Sequence, residues 1–180
     1  MGCALSRLPT SLEGAFVFRP DIQRDERGFF ARLYAEEDFA LSGLNTRWPK
    51  WSIVFNSKRG TLRGMHFQLP PHDEAKLIRC TRGAVHDVLV DLRRESATYK
   101  KWVSIELTEA NRSMLYAPRG MAHGYLTLMD DTELEYYVSA GFDAASARGV
   151  RWDDPALGIA WPFPPSVISE RDRSFPLFNA

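Results

Sequence analysis

Trp102-Val103-Ser104-Ile105-Glu106-Leu107 sets Val103, Ile105 and Leu107 on one face of an extended chain and its polar residues on the other. Glu133-Leu134-Glu135-Tyr136-Tyr137-Val138 repeats the pattern, with Leu134, Tyr136 and Val138 sharing a face and both glutamates pointing away. A period of two with one apolar face marks a half-buried β-strand. Similar runs lie at 52–56, 76–81, 84–91, 113–117 and 124–128, and Gly60, Gly83 and Asn111 mark turns between them. Only Glu36 to Leu44 reads as helix. Many short strands at close spacing predict a mostly β fold, a sandwich or barrel for which a jelly roll is the natural closure. The C-terminal third is rich in Pro and Trp (Asp154-Pro155, Trp161-Pro162-Phe163-Pro164-Pro165) and reads as ordered coil that packs by its aromatics.

The chain of 180 residues fits one domain spanning 1–180. Lys and Arg together number 23 and are balanced by 23 Asp and Glu, so no electrostatic footprint points to nucleic acid or an anionic membrane. Any anion must then be held by a local cluster of arginines. No apolar run approaches the roughly 20 residues that cross a bilayer, and residues 1–18 hold no long apolar segment, so a cytoplasmic, untargeted protein is expected. Cys3 and Cys80 cannot build a disulfide framework or a four-ligand zinc site, and reduced thiols suit the cytosol.

In Gly60-Thr-Leu-Arg-Gly-Met-His-Phe-Gln68, Arg63 and His66 stand three apart. On a regular strand they face opposite ways, so either one alone points inward or a bulge at Gly64 re-aims the chain. Together they read as a general base beside an anion-holding guanidinium, or as a surface arginine and a core histidine. His123 lies in the turn Ala117-Pro-Arg-Gly-Met-Ala-His-Gly124, ahead of an apolar strand. Lys76 opens one apolar strand and Asp87 interrupts another, and a charge so placed needs a partner or a function. A mutual Lys76–Asp87 ion pair at a strand edge is the structural option. His72 and His86 read as surface residues.

These segments, in their order and spacing, resemble the dTDP-4-dehydrorhamnose 3,5-epimerases and related nucleotide-sugar epimerases. The resemblance runs over nearly the whole chain. It is carried by Asp25-Glu-Arg-Gly-Phe-Phe30, Thr61-Leu-Arg-Gly-Met-His-Phe-Gln68, Lys76-Leu-Ile-Arg-Cys80, Val85-His-Asp-Val88 and Pro118-Arg-Gly-Met-Ala-His-Gly124, with Glu135-Tyr136, Arg151-Trp-Asp-Asp-Pro155 and Ile159-Ala-Trp-Pro162. It implies a cupin-type jelly roll that forms a homodimer by exchanging strands. It also implies inversion of C3, C5 or both in a nucleoside-diphosphate-linked 4-keto-6-deoxy sugar, with no metal or organic cofactor. By the same resemblance His66 is the base, Asp172 its orienting carboxylate, and Tyr136 the acid on the other ring face. Lys76 stabilises the enolate oxygen with His123 nearby, Arg27 and Arg63 hold the diphosphate, and Phe30 and Gln68 contact substrate.

The chain departs from the family where Trp51 and Ile53 replace amide side chains and Arg32 replaces a glutamate, positions tied to the nucleotide pocket. The nucleobase, the exact sugar and the number of inverted carbons therefore stay open. Three other readings compete. A metal-dependent cupin wants two histidines one residue apart, and here Gln68 holds the second position, leaving His66, His123 and Glu74 as an incomplete set. A 3,4-ketoisomerase and a catalytically inactive sugar-binding module are the others.

Overall fold

The structure is a computed structural model that describes residues 5–178; Cys3 lies outside them. In chain order the elements are β1 (Leu5–Pro9), β2 (Phe16–Pro20), β3 (Gln23–Asp25), β4 (Gly28–Phe30), α1 (Glu36–Leu41), β5 (Lys50–Asn56), β6 (Thr61–Gln68) and β7 (Lys76–Arg82). There follow β8 (Ala84–Asp91), β9 (Trp102–Thr108), β10 (Met114–Ala117), β11 (Met121–Thr127), β12 (Thr132–Val138), β13 (Ala147–Gly149), β14 (Val167–Ile168) and α2 (Glu170–Arg173). A front sheet runs β1-β2-β10-β7-β12-β5 and a back sheet β13-β6-β11-β8-β9, with β14 added parallel to β6. The fold is the expected mostly β, cupin-type jelly-roll sandwich. The hairpin β3-β4 pairs with neither sheet.

The alternation read in the sequence decides what fills the sandwich. Val103, Ile105 and Leu107 of β9 meet Leu134 and Tyr136 of β12 in the central core, together with Ile78, Val85, Leu89 and Leu115. Burying one such aliphatic side chain is worth about 1.5–3 kcal/mol. On β8 the odd positions Val85, Asp87 and Leu89 therefore point inward. The even ones, Val88 and Val90, pack beneath the C-terminal segment with Val150, Leu157 and Trp161. His86 shares that outer face and stacks at 5.9 Å on Trp161, so it is half-buried and not the surface residue expected.

Three boundaries differ from the expectation. The helix stops at Leu41, because Gly43 turns left-handed (φ 66°) and the Leu44 amide folds back onto the Phe39 carbonyl at 2.9 Å. β11 begins at Met121, where pairing with Asp91 of β8 starts, so His123 lies inside a strand and not in the turn. The C-terminal coil carries the short β13 and β14 and the single turn α2, although it does pack by aromatics such as Trp152 on Trp161. No helix among the described residues is long and apolar enough to cross a membrane.

The open question at Gly64 resolves as a bulge. His66 pairs with His123 and Arg63 with Tyr125, so Gly64 and Met65 of β6 together oppose Gly124 alone on β11. Met65 turns to the outer core, and Arg63 and His66 both reach the interior side. Only glycine fits here. Gly64 has φ 144°, and a Cβ on it would stand 2.5 Å from the Gly124 Cα, while one on Gly124 would meet Met65 Sδ at 2.6 Å. Gly64→Ala combines backbone strain with overpacking and is expected to lower stability by roughly 2–4 kcal/mol. Urea unfolding with an unchanged midpoint would show that the two strands do not need this close approach.

Candidate active site

The bulge delivers His66 to the mouth of the sandwich, and the C-terminal segment brings its partner. Ser169 caps α2 by accepting the Asp172 amide at 3.1 Å, which seats Asp172 over β6. Asp172 Oδ1 lies 2.7 Å from His66 Nε2, and Oδ2 accepts the Gly64 amide at 3.2 Å. Burial alone would raise the Asp172 carboxyl. The hydrogen bond and charge of His66, the Gly64 amide and Ser169 outweigh it and hold the carboxyl below its usual range. Phe175 presses edge-on against the imidazole at 5.7 Å, and its ring occupies the space that any side chain at Gly149 would need. The histidine is thus gripped by a carboxylate and a ring while 40% of its side chain stays exposed.

Across from it the front sheet supplies Lys76 and Tyr136. These two, His66, Arg63, His123 and Tyr125 line one cavity of about 240 Å³ between the sheets. Tyr136 is held between the rings of His123 (5.8 Å) and Tyr125 (6.5 Å). Burial pushes its phenol well above the ordinary tyrosine value, and the neighbouring Tyr125 and Asp87 push it further. The Lys76–Asp87 pair left open as the structural option does not form, because each charge has another partner. Asp87 instead faces His123 Nε2 at 2.9 Å, and Lys76 Nζ lies 3.3 Å from Glu74. Arg63 Nε donates to Asn56 Oδ1 at 2.9 Å, and the same oxygen accepts the Tyr125 hydroxyl at 3.1 Å.

Beyond His66 and Lys76 the cavity opens into an outer chamber of about 270 Å³, ringed by Lys50, Arg148 and Arg171 with Phe142 at the rim. Gln68 forms part of its wall and acts as a clamp within the protein: Nε2 reaches the His72 and Gly141 carbonyls and Glu74, and Oε1 accepts the Asp143 amide. Arg27 and Phe30 do not join the cavity. They sit on the β3-β4 hairpin with the Arg27 side chain 83% exposed beside Asp25 and Phe30 63% exposed. Trp51 and Ile53 point out from the edge strand β5, and Arg32 is exposed, so all three lie outside the cavity as well. His72 is half-exposed and bonded to Ser146. Among the described residues no three His, Cys, Asp or Glu side chains are grouped to hold a metal.

Sequence reasoning missed Asn56, Tyr125, Phe175 and the outer cations. Glu74 was open to discovery, since Glu74-Ala-Lys76 is the same-face spacing of an extended chain.

The family model for dTDP-4-dehydrorhamnose 3,5-epimerase matches residues 9–180. The chain belongs to this family. It is a carbohydrate epimerase, which decides between the readings open in the sequence. It is 44% identical over 161 residues to dTDP-4-dehydrorhamnose 3,5-epimerase of Sinorhizobium fredii, covering 89% of this chain and 83% of that one. The epimerase of Bacillus anthracis, solved with TDP and pyrophosphate bound, superposes with a TM-score of 0.93 at 35% identity, covering 97% of this chain and 100% of that one. A 3′-monoepimerase from Streptomyces bikiniensis in complex with dTDP-quinovose gives a TM-score of 0.88 at 34% identity, covering 94% and 86%. In this epimerase Asp172→Asn would leave His66 facing an amide and is expected to slow turnover by about 10²-fold or more with little change in unfolding midpoint. Turnover within a few-fold of wild type would remove Asp172 from the site.

Proposed function

We propose that the chain inverts C3, C5 or both of a nucleoside-diphosphate-linked 4-keto-6-deoxy sugar by proton transfer across the ring. The carrying observation is that His66 projects from the back sheet and Tyr136 from the front sheet into one cavity. A hydrogen next to a ketone is acidic because the electron pair left on carbon delocalises onto the carbonyl oxygen. His66 removes that hydrogen, and the resulting imidazolium is stabilised by Asp172, whose carboxyl, against the effect of burial, the His66 hydrogen bond and charge hold below its usual range. The negative charge reaches the C4 oxygen, where the Lys76 ammonium stabilises it. Tyr136 then protonates the same carbon from the opposite side. Its burial keeps the phenol protonated, the state a donor needs. After one inversion His66 carries a proton and Tyr136 lacks one, and exchange with water restores both. His123, held by Asp87, orients Tyr136 through the edge contact of the rings.

The diphosphate fits the cationic side of this site. Arg63 at the inner rim and Lys50, Arg148 and Arg171 around the outer chamber offer the forked and point charges that phosphates take. Arg27 and Phe30 enter the reading only through a second copy. Their hairpin pairs with neither sheet of its own chain and exposes Phe29 and Phe30, as an exchanged element would. We propose a homodimer in which the hairpin of one protomer completes the cavity of the other. Mixing His66→Ala with Arg27→Ala, each inactive alone, is then expected to recover roughly a quarter of wild-type activity, since half the dimers carry one intact site. A mixture as inactive as its components would confine Arg27 to its own chain.

Tyr136→Phe tests the two-sided chemistry directly. It removes one hydroxyl and conserves ring volume, so packing should be kept. If His66 alone moved protons, the configuration would be retained, since a proton returned from the side it left restores the starting centre. The variant is expected to exchange substrate deuterium with solvent while forming little inverted sugar. Deuterium loss and product configuration followed together by NMR give the answer, and a variant that inverts as fast as it exchanges removes Tyr136 from the acid role.

A further inference from the structure

Glu74 is a buried carboxylate that the proton transfers above do not use. Its Oε1 lies 3.3 Å from Lys76 Nζ, and the two side chains are only 9% and 12% exposed. Its Oε2 accepts from Gln68 Nε2, and Gln68 in turn holds the Gly141 carbonyl at 3.0 Å and the Asp143 amide at 2.7 Å. Lys76 Nζ also donates to the His66 carbonyl at 3.3 Å. An ammonium has three N–H donors. Two are directed at Glu74 and at the backbone of His66, which leaves one for the cavity.

A lysine so enclosed tends to lose its proton, because desolvation penalises the cation. Burial pushes Lys76 down from its usual value, and Glu74, by charge and by hydrogen bond, pushes it back up, with a smaller contribution from Asp87. The other charged and titratable groups that share its two chambers are His66 with Asp172, Arg63, Tyr125, Tyr136 and His123 with Asp87 on the inner side, and Lys50, Arg148 and Arg171 on the outer. Asp172 and Asp87 are engaged by the two histidines. Glu74 is the carboxylate in contact with the ammonium.

We infer that Glu74 is a positioning residue for proton transfer, keeping Lys76 cationic and aimed into the cavity and tying it through Gln68 to the 141–143 loop at the mouth. This rests on the reading that Lys76 serves the ketone oxygen, and the test separates the two. Glu74→Gln keeps the shape and removes the charge. In this variant the Lys76 side chain, followed by NMR with Lys76→Arg identifying its signal, is expected to titrate about one pH unit or more below wild type. The alkaline limb of kcat/KM moves down with it, because a neutral amine no longer stabilises the enolate. A lysine that titrates as in wild type overturns the inference, and so does a loss of activity that is uniform across pH. A lysine that shifts while the alkaline limb stays shows that Glu74 keeps Lys76 cationic but overturns its part in proton transfer, because Lys76 is then outside the chemistry. If Glu74→Gln fails to fold, Glu74→Asp, with its charge one methylene further back, decides. Smaller downward shifts in both midpoints support the inference, and wild-type midpoints reduce Glu74 to a structural anchor.

Discussion

The close approach of β6 and β11 at Gly64 and Gly124 is the constraint on which the site depends. Two residues against one turns β6 by a single position, and in a strand a single position exchanges inside for outside. Without it, Arg63 and His66 could not both face the interior. The same step sends Met65 outward into the layer beneath the C-terminal segment, which is the layer that carries the chain on towards α2 and Asp172. One irregularity therefore aims the histidine, clears the room beside it and anchors the segment that returns with its carboxylate. A side chain at Gly124 would undo it from the partner strand, since Met65 Sδ and the Arg63 carbonyl already fill that space.

Around this point four basic side chains reach the cavity between the sheets: Arg63 donates to the Asn56 side chain, and the other three are matched to carboxylates, His66 to Asp172, Lys76 to Glu74 and His123 to Asp87. Such pairing is what a low-dielectric interior requires, because a buried charge left alone costs several kcal/mol. The pairs differ in how free they are. His123 and Asp87 are almost wholly buried and make a fixed wall, whereas His66 keeps a large part of its ring open. His66, the proposed base, is the most accessible of the three, and the lysine and second histidine beside it are enclosed.

Strands whose one face meets the central core were legible residue by residue. Val103, Ile105 and Leu107, like Leu134 and Tyr136, face where alternation put them, since period two and burial act on the same atoms. What local pattern does not carry is which strand lies beside which. A Lys76–Asp87 pair was one option because both charges stand in apolar runs, yet the lysine lies beside Glu74 and the aspartate beside His123. The bulge was visible as a choice and not as an outcome, because a glycine permits it and the register with β11 decides it. Asp172 lies 106 residues beyond His66, so family likeness alone pointed to it. The same likeness named Gln68, which lines the outer chamber while bonded to the 141–143 loop, and Arg27 and Phe30, which stand on a hairpin away from the cavity of their own chain.

Inversion at carbon asks for two groups on opposite sides of one ring, and a β-sandwich is suited to that demand. Its two sheets face each other about 10 Å apart, and side chains from both line the space between them. A ring slid in between them presents one face to each sheet. A donor and an acceptor on the same sheet would lie side by side and return the proton to the side it left. With His66 on the back sheet and Tyr136 on the front, the proposed base and acid stand on opposite sheets, as inversion would require. Lys76 shares the front sheet with Tyr136 but sits nearer the mouth, bordering the inner and outer chambers alike. The ketone oxygen can then stay against one fixed cation while the ring shifts to offer a neighbouring carbon. On the proposed reading the number of carbons inverted would depend on how far the ring can turn about that oxygen, and so on the walls of the outer chamber, with the same proton-transfer groups.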